Sequence, residues 1–130
     1  MDAIIAKLDF VTVVSEKESK PVMLECFATW CPPCRAQIPH LAELTKKFPN
    51  VYIVSVSQED KAKVESMASK MKPMKEYNLA VDPSGQVQTF MESNGVQGIP
   101  HAFVFDKAGT LIYSGHPGGP ECEEALAKIN

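Results

Sequence analysis

Two cysteines three positions apart, Cys31 and Cys34, enclose two prolines in the run Trp30-Cys31-Pro32-Pro33-Cys34. A C-x-x-C pair that follows a strand and opens a helix has the setting of a redox site. With Cys31 as the N-cap, its sulfur faces the free N–H groups and positive end of the helix, which favour negative charge there and make it the attacking nucleophile. Cys34, one turn in, is the resolving thiol. The three-residue spacing brings the sulfurs within disulfide reach, so Cys34 can displace a mixed disulfide held on Cys31. Pro33 carries no N–H, which leaves Cys34 as the nearest backbone donor to the Cys31 sulfur and makes the stabilisation moderate. The chemistry expected is thiol–disulfide exchange without a bound cofactor, with a couple nearer the reducing end of the scale.

The elements that must position this pair alternate along the chain. Val22 to Ala28 is a short apolar run of the length of a buried strand, interrupted only by Glu25, and reads as central in a sheet. From Pro32 onward Ile38, Leu41, Leu44 and Phe48 recur at spacings of three and four, one face of a helix that Pro39 should bend. Val51 to Val56 is a second strand, and Glu59 to Met71 a second helix carrying Val64, Met67, Ala68 and Met71 inward. A short strand at Leu79 to Val81, a turn at Asp82 to Gly85 and a helix from Gln86 to Glu92 come next. Ala102 to Phe105 and Leu111 to Tyr113 read as an antiparallel hairpin, and Glu121 to Ile129 as a closing helix. The fold class expected is α/β, a mixed central sheet with helices on both faces.

Composition bounds the rest. At 130 residues the chain is expected to be a single domain, residues 1–130, with one sizeable core. Hydrophobic residues at 45% and charged residues at 22% exclude a disordered chain. A net charge of −3 without a basic run argues against a nucleic-acid partner. No stretch of about 18 apolar residues is present, so no transmembrane segment is expected. Met1 to Phe10 has no basic start or long apolar run, which argues for a cytoplasmic location unless a leader has been removed. Four cysteines, irregularly spaced, are too few for a disulfide scaffold.

The residues Phe27 to Arg35, with Pro39 and the distant Gly98-Ile99-Pro100, resemble the thioredoxin superfamily. The resemblance runs from about Val22 to Ser114, nearest to the WCPPC members: TlpA-like proteins, tryparedoxins and nucleoredoxins. The strand and helix around Leu79 to Ser93 look like the insertion of TlpA-like proteins, placed before the proline, and Gly115-His116-Pro117 is also similar to them. The resemblance implies a thioredoxin fold with Cys31 as nucleophile, Cys34 as resolving thiol and Trp30 as the flat neighbour shaping the docking surface. It makes Pro100 a cis-proline facing the redox-active disulfide, with Ile99 offering backbone hydrogen bonds to a bound peptide. Glu25, six residues before Cys31, takes the place of a buried acid that assists proton transfer at the resolving cysteine. Buried without a partner, its pKa would be raised. Ser55 stands where the family has a lysine beside that acid. His101 follows the proline, and a protonated imidazole near the sulfurs would stabilise the thiolate and make the couple more oxidising.

The remaining candidates are read more plainly. Cys26 is a small buried hydrophobe, Cys122 an inert surface thiol on the last helix, His40 and His116 structural or solvated, and Met67, Met71 and Met74 packing residues. The function expected is a protein-disulfide reductase, a monomer with protein disulfide substrates and an upstream reductase as partners. Two rival readings remain: a copper or zinc carrier using the same cysteines with a nearby histidine, and an interaction module without turnover.

Overall fold

The structure is a computed structural model describing residues 1–130. In chain order its elements are α1 (Asp2–Ile5), β1 (Asp9–Thr12), β2 (Val22–Phe27), α2 (Pro32–Ala36), α3 (Ile38–Lys47), β3 (Tyr52–Ser57), α4 (Lys61–Lys70), a 3₁₀ turn (Lys72–Lys75), β4 (Asn78–Val81), α5 (Gln86–Ser93), β5 (His101–Phe105), β6 (Leu111–Gly115) and α6 (Pro120–Ile129). The strands form one sheet in the order β1-β4-β3-β2-β5-β6. Strands β2, β3 and β4 are parallel, while β5, β6 and β1 run antiparallel to their neighbours. All residues of β2 and of β3 are buried, because each strand is paired on both edges and covered on both faces.

Alternation along β2 divides the core between the two faces of the sheet. Met23 and Phe27 pack against Ile38, Leu41 and Leu44 of α3, Val64 and Ala68 of α4, and Leu126 of α6. Leu24 and Cys26 face the other way, against Val87 and Met91 of α5 and Ile5 of α1. The helical spacings read from the sequence are thus the buried stripes of α3 and α4. Pro39 ends up in the first turn of α3, and the expected bend is a break at Gln37 between α2 and α3.

The N-terminal elements were not expected from the sequence. Strand β1 is an edge strand with Asp9 exposed and Phe10, Val11 and Thr12 half-buried; the run Phe10-Val11-Thr12-Val13-Val14 has the composition of a strand, but the sequence reading assigns it none. It is held by its ladder to β4 and, beyond its end, by Asn78, whose Oδ1 accepts from the N–H of Val14 at 2.8 Å. The strand-helix segment before Pro100 is fixed by another buried polar residue. Asp82 accepts from the N–H of Val87 at 2.8 Å, capping α5, while Gly85 takes the left-handed conformation (φ 76°) that the turn requires.

Cys122 corrects the sequence reading. It is fully buried, because it lies on the inward stripe of α6 with Ala125 and Leu126, three and four positions on, against the same face of the sheet as Cys31 and Cys34. Cys26 is a buried strand residue, as expected. Met74 is fully buried, and Met67 and Met71 pack half-buried against the same core.

Candidate active site

Strand β2 delivers the chain to the site and the N-terminus of α2 receives it. Cys31 is the N-cap of α2 in extended conformation, and its Sγ accepts the N–H of Cys34 at 3.4 Å. Pro32 and Pro33 occupy the first helical positions, where a missing N–H costs nothing, and so Cys34 supplies the first free donor. The thiol of Cys31 points at the carbonyl of Ile99, 3.8 Å away. The Ile99-Pro100 peptide bond is cis. Both sulfurs are nearly covered, with Cys31 3% and Cys34 2% exposed, whereas Trp30 between strand and helix is 69% exposed. Burial, with the contact to Cys31, holds the Cys34 thiol well above the ordinary thiol range.

Glu25 lies on the same face of β2 as Met23 and Phe27, the face toward the cysteines. It is fully buried, its Oε1 accepts the hydroxyl of Ser55, and its Oε2 has no partner. Register pairs Glu25 with Ser55 directly. Burial pushes the carboxyl up to about 8, the Ser55 hydroxyl opposing the rise. The charge of Glu25 also acts on Cys34.

His101 is not where the sequence reading put it. Along β5, Ala102 and Val104 face the cysteine side, and Phe103 and Phe105 the other. The imidazole goes with Phe103, their ring centres 4.8 Å apart, and its Nε2 is 2.8 Å from Ser114 Oγ. Burial and the neighbouring His116 lower its pKa, which disfavours the protonated form, and the imidazole expected near the sulfurs lies with Phe103 on the face away from the cysteines. It does share a wide cleft with Pro33 and Pro100. His116 is structural: its Nδ1 accepts the N–H of Gly118 at 2.9 Å.

Sequence reasoning missed Glu59. Its Oε1 accepts the N–H of Thr29 at 2.7 Å and its Oε2 the Thr29 hydroxyl at 2.6 Å, while the Ser57 hydroxyl donates to Oε1 at 2.8 Å. These bonds hold the Glu59 carboxyl below its usual range although burial opposes them. The signal was present in the spacing. The last ladder pair of the parallel strands is Phe27 with Ser57, so residues two positions further on, Thr29 and Glu59, leave the sheet side by side.

This geometry has known counterparts. The family model described as the AhpC/TSA family matches residues 6–114. The thiol:disulfide interchange protein DsbE homolog of Paracoccus denitrificans is 33% identical over 116 residues, covering 81% of this chain and 61% of the relative. The thiol-disulfide oxidoreductase ResA of Bacillus thuringiensis is 28% identical over 116 residues, 86% of this chain and 65% of the relative. The chain thus spans less than two thirds of the length of either curated relative. Among solved structures, the exposed lipoprotein thioredoxin Etrx1 of Streptococcus pneumoniae superposes with a TM-score of 0.68 at 28% identity, covering 87% of this chain and 85% of that one. Matching family model, shared sheet and a C-x-x-C pair at a helix start agree: the chain belongs to the AhpC/TSA family, in a thioredoxin fold of the type found in the DsbE and ResA thiol–disulfide oxidoreductases.

Proposed function

We propose that the protein reduces disulfides of other proteins by dithiol–disulfide exchange. The observation that carries this reading is the placement of Cys31 Sγ between the Cys34 N–H and the Ile99 carbonyl at the start of α2. In the reductive direction the Cys31 thiolate attacks one sulfur of a substrate disulfide. A new S–S bond forms to Cys31, the substrate S–S bond breaks, and one substrate thiolate leaves and is protonated. Cys34 then loses its proton and attacks Cys31 Sγ, which releases the second substrate thiol and leaves the Cys31–Cys34 disulfide. The protein is oxidised by two electrons and the substrate reduced by two. An upstream reductase returns the dithiol.

Each remaining site residue has a role in this reading. Glu25 takes up the Cys34 proton, and a carboxyl with a pKa of about 8 exchanges protons in either direction near neutral pH. Trp30, exposed beside Cys31, and the backbone of Ile99 meet the substrate chain, with Pro100 and His101 on the adjoining cleft. The working unit is a monomer. No helix is long and apolar enough to cross a membrane.

The test is a titration against thiol–disulfide buffers of known potential, followed by the fluorescence of Trp30, the only tryptophan. A single two-electron transition near or below about −250 mV supports a reductant, and one near about −150 mV an oxidant or isomerase. Cys31→Ser should remove the transition, and Cys34→Ser should accumulate a mixed disulfide with substrate. No transition in the unmodified protein refutes redox use of the pair.

A further inference from the structure

Beside the Cys31 loop lies a groove that the exchange chemistry does not use. Its walls are Thr29, two residues before Cys31, and Arg35, next to Cys34, on one side, and Lys63 and Lys70 of α4 on the other, with Met67 and Met71 at its base. The cleft measures about 570 Å³. Neither cysteine lines it, but Thr29 and Arg35 place it next to the segment that carries both.

The charge of this groove is unusual for the chain. Overall the protein is acidic, at −3, yet no acid lines the cleft. Lys17, Lys46, Lys47 and Lys61 are each engaged in an ion pair, with Asp2, Glu76, Glu123 and Asp9. Arg35, Lys63 and Lys70 are in none of these pairs. Glu59, whose carboxylate accepts from the lining residue Thr29, also acts on Lys63 and offsets part of this positive charge, leaving the groove net basic. Three cations flank two polarizable, half-buried methionines, whose adaptable side chains suit an irregular partner surface.

We infer that this groove docks an acidic segment of the disulfide-bearing protein substrate, next to the cysteine that Cys31 attacks. The inference rests on the reductase reading and adds a substrate class to it. Complementary charge raises the rate of encounter and fixes register, and like charge suppresses the wrong partner. Arg35 adds a planar fork that can hold a carboxylate by two hydrogen bonds, a geometry lysine does not offer. The apolar base takes the aliphatic part of the segment.

The test uses the full chain, pre-reduced, in single turnovers followed by Trp30 fluorescence. Three oxidants are compared: a peptide disulfide flanked by Asp and Glu, the same peptide with Ser and Gln flanks, and hydroxyethyl disulfide, which is small and uncharged. The acidic peptide should react about tenfold faster than the neutral one at low salt, and added salt should erase the difference as the Debye length falls below about 10 Å. Reversing the groove charge in Lys63→Glu/Lys70→Glu should turn the preference around, and Lys63→Arg/Lys70→Arg should keep it. Equal rates for the two peptides, or a preference that survives charge reversal, overturn the docking inference while leaving the reductase reading intact. If hydroxyethyl disulfide and both peptides all fail to react, the reductase reading falls and the docking inference with it.

Discussion

Glu59 holds Thr29 with both of its carboxylate oxygens, one on the backbone N–H at 2.7 Å and one on the hydroxyl at 2.6 Å. The loop that carries Trp30 and Cys31 is therefore tied to the end of β3 as well as to its own strand. Hydrogen bonds to a charged group contribute about 1.5–3 kcal/mol when buried, and this half-buried set belongs at the low end. Glu59→Ala should lower stability by about 1–2 kcal/mol in denaturant unfolding and should slow disulfide exchange. Glu59→Gln, which keeps an acceptor for the Thr29 N–H, should restore most of both. A Glu59→Ala protein with unchanged midpoint and unchanged exchange rate would show that the tie is immaterial.

Glu25 sets a pH dependence of stability. Its pKa is about 8 folded and near 4.5 unfolded, so between these values the folded state binds more protons than the unfolded one. The stabilisation is present in full below about 4.5, declines as pH rises toward 8, and is flat beyond. Urea midpoints measured from pH 4.5 to 9 should show this downward component, and Glu25→Gln should remove it. The same substitution should also slow the step in which Cys34 resolves a mixed disulfide, visible as longer-lived adduct on Cys31.

Of the four thiols, only Cys31 should be readily addressable in the native state. Cys26 and Cys122 are buried in opposite faces of the sheet, and burial pushes both thiols up, Cys122 to about 12. A thiol reagent should modify one cysteine, Cys31, quickly in the folded, reduced protein and all four after unfolding, since burial holds the Cys34 thiol up as well. Cys122→Ala should be better tolerated than Cys122→Ser, whose hydroxyl would be buried without a partner at a cost of about 1–3 kcal/mol. Rapid labelling of Cys122 in the native protein would contradict its placement on the inward face of α6.

His101 should leave the redox couple alone. Its ring is turned toward Phe103 and Ser114, and burial favours its neutral form. His101→Ala should move the midpoint potential by less than about 15 mV, equivalent to less than about 0.7 kcal/mol for two electrons. A larger shift that grows below pH 6 would mean that a protonated imidazole does reach the sulfurs.

The local part of this molecule is legible in the order of its residues. Cys31 as N-cap, Cys34 as the first available donor and the helical stripes of α3 and α4 follow from proline's missing N–H and from residue spacing within one element. The depth of Glu25 follows from the apolar residues around it in a strand that must be central. Relations between elements are not legible in this way. Strand β1 carries β-forming residues from Phe10 to Val14, but its place at the sheet edge beside β4 is set by tertiary pairing. Which face His101 takes depends on the register of β5, and a shift of one residue reverses it. Cys122 is buried because α6 docks by that side, and Glu59 reaches Thr29 because β2 and β3 are parallel and aligned thirty positions apart. The sequence by itself determined the reactive pair and the elements that carry it, since those depend on contacts a few residues long. The acid that ties down the loop, the orientation of the histidine and the basic groove beside the dithiol arose only when distant segments were packed together.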